Sequence, residues 1–209
     1  TNANSYKRGM GMTARRIKKR MFIIPGILAV LLLLLCYLYF EDNVLRAKVY
    51  HLTSEKVTGE FTVVQISDLH GKSFGDDNAD LIRLIKEQTP DLIVDTGDLI
   101  DKSHFDLDYV KTLDTQLAAI APVCYVTGNH EWETGSPQQI IDAIRSSGVT
   151  VLRSQAKTFS LRGQTVSVGG TDDISYTDTY LGDSLNTLCY LPGYRIFLIH
   201  QPQHFDRCA

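Results

Sequence analysis

The sequence predicts an α/β fold with a second, more antiparallel sheet, preceded by a single membrane-spanning helix. Three observations predict it. Residues 22–40 run for nineteen residues without a charge. Between Phe61 and Leu152, short apolar runs alternate with segments of helical periodicity, the pattern of a parallel sheet with helical crossovers. After Leu152 the helical segments thin out and strand-like alternation takes over.

A chain of 209 residues has room for one sizeable domain and an appendage. Its hydrophobic fraction of 44% and charged fraction of 22% are ordinary for a globular protein. The net charge of −3 conceals a segregation. Lys7, Arg8, Arg15, Arg16, Lys18, Lys19 and Arg20 give residues 1–21 seven cations and no acid, which leaves 14 Lys+Arg against 24 Asp+Glu and about −10 for residues 22–209. An acidic body argues against a general nucleic-acid platform, which needs basic surface to neutralise phosphates. Bound cations or a plain solvated surface would each account for the acid excess. The four cysteines, Cys36, Cys124, Cys189 and Cys208, form no CxxC pair and read as buried free thiols, with no metal–thiolate site.

The chain opens at Thr1, with Met10 and Met12 as candidate starts; Met21 would discard the basic flank. Phe22 to Phe40, as a helix rising 1.5 Å per residue, spans roughly the 30 Å hydrocarbon core of a bilayer. Tyr37, Tyr39 and Phe40 are placed as interfacial anchors. Seven basic residues before the run, against Glu41 and Asp42 after it, put the N-terminus in the cytoplasm and the body on the far side. A cleaved signal peptide is the competing reading, but no small-x-small site follows the run. Arg15-Arg16 fits twin-Arg export poorly, and Leu35-Cys36 lacks the small residue expected before a lipidated cysteine. The expected organisation is a basic cytoplasmic tail over 1–21, an anchor over 22–40 and one domain over 41–209.

Within the domain, alternation from Val44 to Leu52 predicts a strand, and Phe61 to Ile66 a second one. Asp76-Asp77-Asn78 caps a predicted helix that ends before Pro90. Leu92-Ile93-Val94 reads as a buried strand, and a helix follows over about 106–120. Val123 to Val126 is the next strand. Ser136-Pro137-Gln138-Gln139 reads as a capping box opening a helix that closes at Gly148. Val149 to Leu152 is a short strand, Lys157–Arg162 and Thr165–Val168 a hairpin, and Leu185 to Tyr190 a possible helix. Arg195 to Ile199 is the last strand, and Pro202 starts a helix. Gly169-Gly170-Thr171-Asp172-Asp173 reads as a Gly/Asp turn or a substrate loop.

Four predicted strand ends carry chemistry: Asp68 and His70, Asp98, Asn129, and His200. Open α/β sheets place their chemistry just past the carboxyl ends of strands. An isolated strand-end Asp is ordinarily a turn or cap residue, and a lone His an ordinary surface or packed one. Five carboxylate, amide and imidazole groups at four successive ends favour a single site. The ligand set mixes oxygen and nitrogen without thiolate, which suits Mn²⁺, Fe or Zn²⁺. It divides into Asp68, His70 and Asp98, then Asp98, Asn129 and His200. A shared carboxylate would bring two cations to about 3.5–4 Å, where they activate a bridging water for in-line phosphoryl displacement.

Asp68-x-His70, Gly97-Asp98-x-x-Asp101, Gly128-Asn129-His130-Glu131 and the strand-end His200 together resemble the calcineurin-like metallophosphoesterase superfamily over roughly residues 44–209. The apolar anchor makes its bacterial membrane-associated branch the nearest likeness. The resemblance implies a two-sheet α/β/β/α sandwich and two divalent metal ions. It implies that Asp68 and His70 hold the first metal, that Asp98 bridges, and that Asn129 and His200 hold the second. His130 becomes the catalytic residue near the leaving-group oxygen, with Asp101 orienting its imidazole. Lys102 stands where the phosphoprotein phosphatases of the superfamily have Arg, which points away from a phosphoprotein substrate. The superfamily's Gly-His-x-His motif is absent, and neither His104 nor His204 sits in one. The expectation is therefore a C-terminally incomplete chain, each metal one imidazole short within these 209 residues. The implied function is a metal-dependent phosphohydrolase, foremost a phosphodiesterase, acting on a membrane-proximal phosphoester such as a lipid headgroup. The alternative is a non-catalytic, membrane-tethered binding protein on a truncated phosphoesterase core.

Overall fold

The structure is a computed structural model that describes residues 23–41, 43–103, 105–177 and 181–208. The basic tail 1–21, Phe22, Asp42, His104 and Ala209 lie outside the described residues. The chain divides into two units at Val44. The first contains α1, Ile23–Glu41, a helix long and apolar enough to cross a membrane, with none of its apolar window buried.

The second unit is built on two sheets. Strands β1 (Val63–Ile66), β2 (Leu92–Asp95), β3 (Val123–Tyr125) and β4 (Thr150–Val151) lie side by side in that order, all parallel. Residues alternate faces along a strand. Ile93 and Tyr125 therefore join the cluster made with helices α2 (Ala79–Glu87), α3 (Leu107–Ala118) and α5 (Pro137–Ser146). Leu92, Val94 and Cys124 face the other way, onto Leu161, Val166, Val168 and Leu198 of the second sheet. Burial on both faces explains why the β2 and β3 runs read as continuously apolar.

The second sheet takes the order β5 (Gln155–Leu161), β6 (Gln164–Gly170), β7 (Tyr194–Leu198). Strands β5 and β6 form the expected hairpin, turned at Arg162 and Gly163 with φ of 46° and 79°, the two left-handed residues a tight primed turn demands. Strand β7 pairs parallel to β6, so this sheet is mixed. That pairing requires a crossover, and α6 (Leu181–Cys189) supplies it, packing back over the sheet with Leu188 against Gly169. The layers are helices, parallel sheet, mixed sheet and helix, which is the sandwich expected. The short helix α4 (Asn129–Glu133) interrupts the loop after β3, and α7 (Phe205–Cys208) follows a 3₁₀ turn over Pro202–His204.

Several local expectations are corrected. The alternation from Val44 to Leu52 makes no strand. Leu45 packs against the core while Val49, Tyr50 and Leu52 stay exposed, and alternation specifies a strand only where one whole face is buried. Asn78 does not cap α2 through its side chain. It sits at φ 62°, and its Oδ1 accepts the Phe74 N–H instead. Ser136 makes no capping box, because its backbone carbonyl already accepts the Gln139 N–H. The helix expected at Leu185 begins earlier, at Leu181. Cys124 is a buried free thiol, whereas Cys36 and Cys189 are free and exposed.

Asp114 on α3 is only 1% exposed, and burial pushes its carboxyl up to about 8. The unfolded chain releases that proton near pH 4 and the folded chain holds it to about pH 8. Folding therefore binds a proton across this window, and stability falls as pH rises through it, by about 1.4 kcal/mol per unit. Asp114→Asn is expected to match the wild type near pH 4 and to exceed it by about 4 kcal/mol at pH 7. Denaturant unfolding followed by the fluorescence of Trp132, the single Trp, measures the difference.

Candidate metal centre

The site is assembled by loops that stay zipped beyond the strands. The Thr96 N–H donates to Ile66 O at 3.1 Å, Asp68 N–H to Gly97 O at 3.0 Å, His70 N–H to Asp98 O at 2.9 Å and Gly71 N–H to Leu99 O at 2.9 Å. The zip needs left-handed backbone at Asp68 (φ 57°), His70 (φ 50°) and Asp98 (φ 54°). Such a conformation costs on the order of 1 kcal/mol per non-Gly residue and collects at functional sites.

Two glycines let the β2 and β3 loops touch. A Cβ on Gly97 would lie 2.2 Å from Gly128 N, and one on Gly128 would lie 2.2 Å from Asp98 Oδ1. With both bare, the His130 N–H reaches Asp98 Oδ1 at 2.8 Å. Glu131, fully buried on α4, fastens the same junction. Its Oε2 accepts the N–H groups of Gly128 (2.8 Å) and Asp98 (3.0 Å), and its Oε1 those of Leu99 (2.8 Å) and Ile100 (3.4 Å). Burial raises the Glu131 carboxyl above the ordinary range, and the N–H groups of Gly128, Asp98 and Ile100 counter that shift.

Asp98 is the hub. Its side chain is 5% exposed, and Oδ2 stands 3.5 Å from His200 Nε2, 3.9 Å from His70 Nε2 and 4.0 Å from His130 Nε2. His70 Nε2 is also 3.8 Å from Asp68 Oδ1. Ligand atoms of Asp68, Asp98 and His200 all lie within 4.8 Å of one another, as do those of His70, Asp101 and His130. The geometry thus groups His200 with Asp68 and Asp98, and brings His70 beside His130.

Hydrogen bonds fix the ring tautomers. His200 Nδ1 lies 2.9 Å from the Thr96 carbonyl, which can only accept, so Nδ1 carries a proton and, in the neutral ring, the Nε2 lone pair faces Asp98. His130 Nδ1 accepts the Lys102 N–H at 3.2 Å, so the neutral ring carries its proton on Nε2. His70 Nδ1, 3.3 Å from that same His130 Nδ1, then shares its lone pair as a second donor, and in the neutral His70 ring the Nε2 lone pair is turned toward Asp68 and Asp98. Two imidazoles offer lone pairs to the acidic centre, and the third offers an N–H.

Asp101 is less tightly engaged with His130 than expected. Its Oδ2 is 3.8 Å from His130 Nδ1, an ion-pair separation, while Oδ1 accepts from the Ser103 N–H and hydroxyl. Those Ser103 bonds hold its carboxyl below the ordinary range, with His130 and His70 adding to the effect. Asn129 opens α4, and its Nδ2 donates to Glu133 Oε1 at 3.4 Å. Glu133 also meets Lys102 Nζ at 2.5 Å and the Tyr176 hydroxyl at 2.5 Å, contacts that draw its carboxyl down to about 2.

The sequence pattern of calcineurin-like phosphoesterases matches residues 61–202, from just before β1 to just past His200. The chain belongs to the calcineurin-like phosphoesterase family. An uncharacterized metallophosphoesterase of Aquifex aeolicus (strain VF5) is 32% identical over 128 residues, 59% of this chain and 49% of that protein. The uncharacterized metallophosphoesterase YkuE of Bacillus subtilis (strain 168) is 29% identical over 175 residues, 78% of this chain and 60% of that protein. Phosphodiesterase YaeI of Escherichia coli (strain K12) is 32% identical over 120 residues, 54% of this chain and 44% of that protein. The chain spans about half the length of the curated relatives it matches.

Calcineurin-like phosphoesterases bind divalent metals, and the residues here fit such ions. Donors sharing one ion at about 2.1 Å stand about 3–4 Å apart, which is the spacing around Asp98 Oδ2. Carboxylate and imidazole donors without thiolate suit Mn²⁺, Fe or Zn²⁺.

Glu131 closes the Gly128-Asn129-His130-Glu131 motif, yet the motif alone assigns it no role. A Glu three residues after a helix-initiating Gly128 is the capping-box spacing, a signal that was available. Glu133 and the Thr96 carbonyl were missed with no such signal, because their roles exist only once α4 and the β2 loop are in place.

Proposed function

We propose that this calcineurin-like phosphoesterase is a membrane-anchored, two-metal phosphohydrolase whose best-fitting substrate class is a phosphodiester at or near the bilayer. The observation that carries the reading is the convergence of three imidazoles on Asp98 Oδ2 at 3.5–4.0 Å, with two Nε2 lone pairs and one Nε2–H turned inward. Asp68, His70 and Asp98 would hold one divalent cation, and Asp98, Asn129 and His200 the other. Bound there, the pair would supply Lewis-acid charge that neutralises phosphate oxygens and activates water.

The chain's own residues supply the rest. His130 donates from Nε2 to the leaving-group oxygen; once its Nδ1 also takes a proton and turns from the Lys102 N–H toward Asp101, the imidazolium gives the Nε2 proton to the departing alkoxide and returns to the neutral ring. Asp101, 3.8 Å from Nδ1, stabilises the charged ring. The low, partly exposed rim at Asp68 and His70, with side chains 56% and 38% exposed, leaves room for a substrate to approach. A phosphodiester is favoured by the likeness to Phosphodiesterase YaeI. A membrane setting is supported by α1, apolar and exposed on every side, a surface suited to lipid. The seven cations of residues 1–21 favour a cytoplasmic N-terminus.

The test is hydrolysis of bis-p-nitrophenyl phosphate by the full-length protein in detergent. Turnover is expected with Mn²⁺, lost on chelation, and reduced about 10²–10⁴-fold in His130→Ala. Turnover indifferent to chelator and to His130→Ala would overturn the reading. Mn²⁺ binding with no turnover on any phosphoester would favour the tethered binding protein.

A further inference from the structure

Glu133 lies outside every motif that marks the site, yet it gathers three groups from three different segments. Lys102 comes from the loop after β2, Asn129 from the first position of α4, and Tyr176 from the loop after β6. An amide has two faces of opposite polarity, and which one turns toward a cation decides whether it can be a ligand. A carboxylate only accepts, so the Asn129 side chain must direct Nδ2 to Glu133 at 3.4 Å, which leaves Oδ1 for the opposite side. Glu133 sits four residues after Asn129, the spacing at which helical side chains meet. The Lys102 ammonium at 2.5 Å and the Tyr176 hydroxyl keep the carboxylate ion-paired and stationary.

We propose that Glu133 is the positioning residue that presents Asn129 Oδ1 to the cation shared with Asp98 and His200, and that Lys102 and Tyr176 serve it by clamping its carboxylate. This rests on the metal-site reading above. Groups that orient metal ligands from behind are typically worth ten- to hundredfold in affinity. Lys102 acquires a role here distinct from touching phosphate, because its ammonium is engaged with Glu133 rather than displayed alone.

Titration of the full-length protein in detergent with Mn²⁺, followed by calorimetry, tests the inference. Glu133→Ala is expected to weaken one of two binding events about tenfold or more and to leave the other in place. Glu133→Gln, whose Oε1 still accepts from Asn129 Nδ2, is expected to retain most of the affinity. Asn129→Ala weakens the same event, and adding Glu133→Ala to it should cost little more, because the two act in series. Unchanged affinities in Glu133→Ala, or a full additive loss in the double variant, would overturn the inference while the metal site stands. Absence of Mn²⁺ binding in the wild type would overturn the site reading and this inference with it.

Discussion

Asp98→Asn is expected to lower phosphodiester turnover by about 10³-fold or more, a loss of about 4 kcal/mol of transition-state stabilisation, while leaving the fold intact. The substituted amide is nearly isosteric, but its two ends are no longer alike. The His130 N–H donates to Oδ1 at 2.8 Å, and that bond forces the amide to keep its oxygen there. The new NH₂ then takes the place of Oδ2 and points its hydrogens at His70 and His200 Nε2, both of which offer lone pairs. One negative charge disappears, and an acceptor becomes a donor at the point where the candidate ligands meet. Thermal unfolding close to that of the wild type, combined with lost turnover, separates this effect from collapse of the loop. A variant that kept most of its turnover would remove Asp98 from the chemistry.

Glu131→Ala is expected to destabilise the domain by about 3–5 kcal/mol, since the Gly128, Asp98, Leu99 and Ile100 N–H groups lose their acceptor inside a buried junction. Each orphaned buried donor costs about 1–3 kcal/mol, less whatever water recovers. Glu131→Gln is the informative companion. One amide oxygen can serve Leu99 and Ile100, but the NH₂ then faces the Asp98 and Gly128 N–H groups, donor against donor. Its stability is expected to fall between the wild type and Glu131→Ala. Turnover should drop in both, because the same bonds set the backbone of Asp98. Denaturant midpoints for the three proteins measure this order, and a Glu131→Ala variant as stable as the wild type would refute the fastening role.

The strand ends were legible because burial on both faces writes Leu92-Ile93-Val94 and Val123-Cys124 as unbroken apolar runs, and the residues after them have few structural tasks in common. The layers followed from the alternation of strands and helices. Contacts distant in sequence were not legible. The parallel pairing of β6 with β7 depends on the crossover through α6, and no local pattern around Tyr194 distinguishes it from an antiparallel return. The tautomers of His70, His130 and His200 depend on backbone groups at Thr96 and Lys102 that any residue type would supply. Glu133 became visible only when Asn129–Glu133 proved helical. At Val44–Leu52 the alternation was real, but none of the described strands pairs with it.

If Asp98 is the carboxylate that two metal ions share, the number of Mn²⁺ ions bound per chain depends on it. Equilibrium dialysis of the full-length wild type and of Asp98→Asn is predicted to give two ions per chain, falling below one in the variant. An unchanged count in Asp98→Asn, or a single ion in the wild type that survives the substitution, would contradict it.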